Sequence, residues 1–273
     1  MGCCWSNDSI KNNIKSNEEK IIIDVVEINH GMSSNVFKSM SLDSDMLICK
    51  KVKKRYKPMA LKEIEILKKI KTLNSDKFPT YFSSKILIHT INIYTLDIGA
   101  KDLFKYIDNN TTLLNYEIKS IAMQMLNCIK EFHKLGYLHL DIKLENFVIT
   151  PNMHVMLIDF GAAQKKPENN SLCYARGPIG TRDYAAYEVC YYKYHITSDY
   201  WSWGVCYWIM LTRSMPFLMP KNRKHLKKAF KFPNDYSLGR YSRLDKKNKK
   251  LFKGLFRGYK KRYNLQDIEK VFN

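Results

Sequence analysis

Acidic residues are scarce in this chain of 273 residues: 26 Asp or Glu stand against 46 Lys or Arg, a net charge of +20. Long apolar runs are missing too, and none approaches the ~20 residues that cross a bilayer. The best candidate, Trp201 to Leu211, contains a Ser and a Gly and reads as a buried core helix. The N-terminus has no basic stretch followed by an apolar one, so no secretory signal is expected. The seven cysteines (Cys3, Cys4, Cys49, Cys128, Cys173, Cys190 and Cys206) are odd in number and form no C-x-x-C pair. That argues against a disulfide framework or a zinc site and for a reducing compartment, with the internal cysteines as small buried hydrophobes. With 45% hydrophobic and 26% charged residues, wholesale disorder and collagen-like fibre are excluded.

What is present changes along the chain. Residues 1–20 are polar and read as a tail. Ile21 to Ile28, Asn35 to Met40 and Asp45 to Lys53 carry strand-forming residues around turn signals. Pro58 opens a helix that Leu61, Ile64 and Leu67 continue. Ile86 to His89 and Ile91 to Leu96 read as a hairpin. Leu113 to Leu135 is a long amphipathic helix stopped by Gly136. Short strands are expected at Phe147 to Ile149 and Val155 to Ile158, with mostly helix beyond Asp199. Strands with one helix, then mainly helices, make an α+β plan of two lobes. There is no internal repeat.

The segment His139-Leu140-Asp141-Ile142-Lys143-Leu144-Glu145-Asn146 follows the long helix and precedes a short strand, and Asp159-Phe160-Gly161 comes thirteen residues after Asn146. Two carboxylates, an amide and a Lys at strand ends and loops suit phosphoryl transfer from a nucleotide. One Asp orients or deprotonates the hydroxyl nucleophile, while a carboxylate and an amide oxygen hold Mg²⁺. The Lys neutralises charge on the group in transfer.

These residues resemble the protein-kinase catalytic loop H-R-D-x-K-x-x-N and its D-F-G partner. The likeness continues in order through Gly180-Thr181, Tyr184 and Ala185-Ala186-Tyr187-Glu188, which resemble the end of an activation segment. Asp199-Tyr200-Trp201-Ser202-Trp203-Gly204 resembles the start of the large buried helix, and Arg262 stands where the family pairs an Arg with the Glu of A-P-E, here Glu188. The resemblance runs over about residues 21 to 273. It implies a two-lobed protein-kinase fold, with a small β-rich N-lobe over about 21–97 and a larger helical C-lobe over about 98–273. It also implies a Mg²⁺-dependent serine/threonine kinase that uses ATP on protein substrates, since Lys143 and Gly180-Thr181 fit the Ser/Thr class. Asp141 would be the base, Lys143 the charge facing the phosphate, and Asn146 and Asp159 the metal ligands. His139 would have a packing role, and Asp199 would accept hydrogen bonds from the catalytic-loop backbone.

In the N-terminal part, Asn29-His30-Gly31-Met32-Ser33-Ser34-Asn35-Val36 fits the frame of a Gly-rich phosphate loop. Asn29, Gly31, Ser33, Ser34 and Val36 would line the nucleotide, although Asn29 and Ser34 replace two glycines. Asn tolerates positive φ better than most residues. The nucleotide Lys is Lys50 or Lys51. Alternation favours Lys50, because it sends Lys51 and Lys53 to solvent. Its acidic partner would be Glu63, on the helix face shared with Ala60 and Leu67, while Glu65 reads as a solvated charge. Leu96 would guard the adenine pocket, and the backbones of Asp97 and Gly99 would bond the adenine edge.

Two departures bear on regulation. Leu140 stands in place of an Arg that binds a phosphorylated activation loop, and Leu cannot pair with phosphate. Activity without loop phosphorylation is therefore expected. Tyr187 replaces the Pro of A-P-E and is expected to be tolerated.

Met1-Gly2-Cys3-Cys4-Trp5-Ser6 fits the myristoylation pattern, with Cys3 and Cys4 as palmitate acceptors; the alternative is a plain tail. Residues 221 to 262 hold seventeen Lys or Arg and two acids, +15 of the total charge. Such a field suits an acidic protein, an anionic membrane or a nucleic-acid-bound partner. Glu145 points the other way, toward basic residues before the target hydroxyl. The expected protein is a cytoplasmic monomer, membrane-associated where acylated, with the nucleus left open. The rival readings are a pseudokinase scaffold that binds an acidic partner, a nucleic-acid-binding protein, and a small-molecule phosphotransferase.

Overall fold

The computed structural model describes residues 22–272 except Leu42 and Asn222. The expected tail with its Gly2, Cys3 and Cys4 lies outside the described residues, as does Ile21. The chain opens with β1 (Ile22–His30), β2 (Ser34–Ser41) and β3 (Met46–Lys53), followed by α1 (Lys57–Lys71), β4 (Tyr81–Ile86) and β5 (Thr90–Leu96). These strands form one antiparallel sheet in the order β1-β2-β3-β5-β4. Pro58 sits in the first turn of α1, where its missing N–H costs nothing. The buried face of α1 carries Ala60, Glu63, Ile64 and Leu67 against the sheet.

The expected hairpin is displaced. Its first strand is Tyr81–Ile86, and Leu87 to His89 lie in the turn, where Leu87 N–H bonds Thr90 O at 2.8 Å. Ser83, Ser84 and Lys85 hide this strand from any search for apolar alternation.

The second lobe begins with β6 (Lys101–Asp102), α2 (Leu103–Asn109) and α3 (Asn115–Lys134). Asp102 caps α2 by accepting from Lys105 N at 2.9 Å, and Glu117 accepts from Leu114 N at 2.7 Å at the start of α3. Gly136, at φ +85°, ends α3. Then come β7 (Tyr137–Leu138), β8 (Phe147–Ile149), β9 (Val155–Leu157), β10 (Gln164–Lys165), β11 (Cys173–Tyr174) and β12 (Lys193–Tyr194). The helices α4 (Ser198–Thr212), α5 (Leu226–Ala229), α6 (Leu238–Arg243), α7 (Lys246–Leu255) and α8 (Leu265–Phe272) complete it. The small strands pair as β6-β8-β9, β7-β10 and β11-β12.

The main core runs between α3, α4, β8, β9 and α7, with Phe132, Trp201, Trp203, Trp208 and Phe252 almost wholly buried. As the apolar run from Trp201 implies, α4 is a core helix. Among the described residues no helix is long and apolar enough to cross a membrane. The two-lobed α+β architecture is thus present, with a β-rich first lobe and a helical second one. The segment 97–100 joins them and leaves a cleft between sheet and catalytic loop.

Candidate active site

Strand alternation decides which lysine of β3 enters the cleft. Leu47 and Cys49 turn to the outer face and pack with Tyr94, Phe37 and Phe82. Lys50 and Val52 therefore turn toward α1. Lys50 Nζ donates to the Glu63 oxygens at 3.0 and 2.9 Å and to Asp159 Oδ1 at 2.7 Å. Lys51 instead pairs with Asp24 on β1 and covers the Phe37 ring. Of the two candidates, only Lys50 reaches the cleft.

Burial lowers the pKa of an ammonium and raises that of a carboxyl. At Lys50 the charges of Asp159 and Glu63 outweigh burial, so its pKa rises. At Asp159 burial pushes upward, but Lys50 outweighs it and holds the carboxyl at about 2. Both are charged at neutral pH. Asp159 follows β9 with φ +62°, a left-handed conformation. Its neighbour Phe160 is fully buried and stacks on Phe132, with 5.1 Å between ring centroids and His139 edge-on at 5.8 Å. Burying that ring holds the adjacent carboxylate at the cleft.

The catalytic loop is held from below by Asp199. This wholly buried carboxylate accepts from His139 N at 2.8 Å, Leu140 N at 2.7 Å and His133 Nε2 at 2.7 Å. Burial would raise its pKa; the His133 hydrogen bond and charge outweigh it and lower it. Leu140 has φ +62°, a strained position for a side chain, and Asp199's grip on two consecutive amides over-determines it.

Asp141 stands in a ring of partners. Thr181 Oγ1 donates to its Oδ1 at 2.7 Å, and Asn146 Nδ2 donates to its Oδ2 at 3.0 Å and its carbonyl at 2.7 Å. Lys143 Nζ lies 3.5 Å from Asp141 Oδ2 and donates to Thr181 Oγ1 at 3.0 Å. With its nitrogen bound to Asp141, Asn146 has its amide oxygen left to accept or to coordinate. Further along, Glu188 and Arg262 form a buried bidentate pair at 2.6 and 2.9 Å, and Ser198 Oγ adds a bond to Glu188 Oε1 at 2.9 Å. Tyr187 packs its ring against Tyr191 and Phe230.

The phosphate-loop candidates lie on the β1–β2 hairpin. Asn29 pairs with Val36 across it, and Ser33 and Gly31 sit in the turn before Ser34. None of residues 29–34 takes positive φ. Asn29 and Ser34 therefore fit because the turn demands no left-handed residue there, rather than because Asn tolerates one. Gly31 sits in a tight turn: its N–H bonds Ser34 O at 2.9 Å, and a Cβ would meet that oxygen closely, at 3.0 Å. At the hinge, Leu96 is 36% exposed at the end of β5. The Gly99 N–H is already engaged, donating to Asp97 Oδ1 at 2.8 Å, while Asp97 Oδ2 lies 3.2 Å from Lys38 Nζ.

This set suits a nucleotide with a small hard cation. Asp159 and Asn146 offer two oxygen donors, which fits an Mg²⁺ that retains waters and shares phosphate ligands. Among the described residues no group of three or more His, Cys, Asp or Glu could hold a metal without such help.

A family model for the protein kinase domain matches residues 23–271. The chain belongs to the protein kinase family. It is 34% identical over 140 residues to serine/threonine-protein kinase PRR2 of Saccharomyces cerevisiae, covering 50% of this chain and 20% of the relative. It is 27% identical over 239 residues to serine/threonine-protein kinase cds1 of Schizosaccharomyces pombe, covering 80% and 50%. It is 33% identical over 196 residues to a probable serine/threonine-protein kinase of Encephalitozoon cuniculi, covering 68% and 34%. The chain thus spans half or less of the length of these curated relatives.

Three features of this kinase domain escape the linear reading. Thr181 belongs to the Asp141 cluster, and the Gly180-Thr181 motif already carries that signal. Glu65 is more than a solvated charge: Tyr137 OH donates to its Oε1 at 3.1 Å, and Lys69 Nζ donates to the same phenol oxygen at 2.7 Å. Leu140 belongs to a buried apolar cluster with Leu138 and Tyr194, and Cys173, Ala175 and Ile179 of the activation segment pack against that cluster. Contacts between residues so far apart in sequence leave no trace in local pattern.

Proposed function

We propose that this chain is a serine/threonine protein kinase domain that transfers the γ-phosphate of ATP to protein hydroxyls with Mg²⁺. The observation that carries the reading is the Lys50 ammonium held by Glu63 and Asp159 at once, joining both lobes around the cleft. ATP supplies the phosphoryl group, and Mg²⁺ neutralises charge on its phosphates. Asp159 and Asn146 would hold the cation. Lys50 brings a fixed positive charge to the phosphates, with Glu63 keeping it in place. Asp141, oriented by Thr181 and Asn146, takes the proton from the substrate hydroxyl. Lys143 neutralises charge beside it. The Asp97 carbonyl and Gly99 N–H would meet the adenine edge, in competition with the Asp97 side chain.

Activity is independent of loop phosphorylation in this reading. The apolar cluster of Leu138, Leu140 and Tyr194, with Cys173, Ala175 and Ile179 packed against it, does the work of a phosphate–Arg pair through its contacts. They need no modification, because their driving force is burial. The basic region 221–262 would draw an anionic partner or an acidic substrate, and location is cytoplasmic, at membranes where Gly2 is acylated.

The test is transfer from labelled ATP with Mg²⁺ to acidic and basic protein substrates, before and after phosphatase treatment. Transfer is expected in both states and is expected to vanish in Asp159→Ala. Transfer that survives Asp159→Ala overturns the assignment of the site. Loss on phosphatase treatment overturns the role given to Leu140.

A further inference from the structure

The phosphate loop of this chain retains one glycine of three, and its tip is held by a residue outside it. Lys53, at the end of β3, reaches three successive loop carbonyls. Its backbone N–H bonds Ser33 O at 2.9 Å, and its Nζ donates to Met32 O at 3.1 Å and Gly31 O at 3.3 Å. In a planar trans peptide, the carbonyl of one residue and the N–H of the next point in opposite directions. Drawing the Gly31 and Met32 carbonyls toward Lys53 therefore turns the N–H groups of Met32 and Ser33 the other way. Alternation along β3 puts Lys53 on the face opposite Lys50. The two N–H groups are thus turned to the face on which Lys50 meets Glu63 and Asp159. Neither has a hydrogen-bond partner among the described residues. Consecutive free N–H groups aimed at one point make an anion-binding concavity.

We propose that Lys53 is a positioning residue for nucleotide phosphates, fixing the peptide orientation that glycines and their neighbours would otherwise have to find. The inference rests on the reading of ATP as the nucleotide. Lys53 acts through the loop backbone and belongs to neither the base nor the metal ligands. A merely structural Lys53 would serve every nucleotide ligand alike, whereas a positioning Lys53 serves only those with phosphates.

Calorimetric dissociation constants for MgATP and for adenosine separate these cases in the full chain. Lys53→Met is expected to weaken MgATP about tenfold, the loss of a charge-assisted hydrogen-bond pair, and to leave adenosine unchanged. Lys53→Arg, which keeps the donors, is expected to bind both as the unsubstituted chain does. Lys51→Met removes an equal charge from the same face without touching the loop and is expected to leave MgATP binding intact. The proposal is overturned if Lys53→Met binds MgATP normally, if it loses MgATP and adenosine equally, or if Lys51→Met loses MgATP as strongly. An unsubstituted chain that binds neither ligand overturns the ATP reading itself, before any variant is compared.

Discussion

Gly180 shows how one atom can couple two segments. It sits at φ +69°, and a Cβ there would lie 2.2 Å from the carbonyl oxygen of Leu140. That contact is backbone on one side, so a side chain cannot swing clear. Gly180→Ala must push the activation segment away from the catalytic loop and carry Thr181 away from Asp141. The expected result is a loss of kcat of about a hundredfold with the fold retained, because small misplacement of a reacting group is costly. Steady-state kinetics beside a circular dichroism spectrum would check it, and normal kcat would refute the coupling. At this scale the sequence was a good guide where alternation and helical spacing applied, as for the pairing of Lys50 with Glu63. It was a poor one for Gly99, whose N–H is taken by a side chain two residues away. Which acceptor an amide finds depends on a turn conformation that the residue order leaves open.

At the scale of elements, the position of α1 decides whether Glu63 meets Lys50. Besides packing on the sheet, α1 is tied to β7 by the Tyr137 hydroxyl, which sits between Glu65 and Lys69 one helical turn apart. These carboxylate and ammonium groups are half exposed, so their mutual attraction is weak. The phenol, on a residue only 5% exposed, is the fixed point. Tyr137→Phe keeps the ring and removes the tie, worth about 0.5–1.5 kcal/mol per hydrogen bond. The expected outcome is faster amide exchange along α1 and a several-fold fall in kcat with unchanged substrate KM. Unchanged exchange in α1 would count against the tie. Most elements were legible because their apolar pattern is strong: α1 and α3 by helical period, α4 by a continuous apolar run. β4 was misplaced because its Ser83, Ser84 and Lys85 carry no apolar signal, and backbone pairing with β5 alone makes it a strand.

For the molecule as a whole, three carboxylates hold distant parts together: Asp159 across the lobes, Asp199 under the catalytic loop, and Glu188 against Arg262. Burial would raise the pKa of each, yet their partners prevail and lower all three. A carboxyl with a folded pKa below its unfolded one stabilises fully above the unfolded value and loses that contribution as pH falls toward the folded one. For Asp159 the window runs from the ordinary 3.8 down to about 2. Urea midpoints are therefore expected to fall steeply as pH drops from about 4 to about 2. A midpoint that is flat through the acid range would show that these pairs do not hold the fold. Salt is expected to leave this acid transition largely intact, because buried pairs are poorly screened.

The order of chemical groups along the chain was enough to determine the family and the two-lobed plan. Those properties are written in spacing, alternation and helical period, which are local. The tertiary structure decided what the loops do. It placed Leu140 in an apolar cluster with the activation segment, closed Thr181 onto Asp141, tied α1 through Tyr137, and brought Lys53 to the tip of a loop 21 residues earlier. Each of these is a contact between backbones and side chains that only packing brings within hydrogen-bond or van der Waals reach, and no local pattern encodes such a distance.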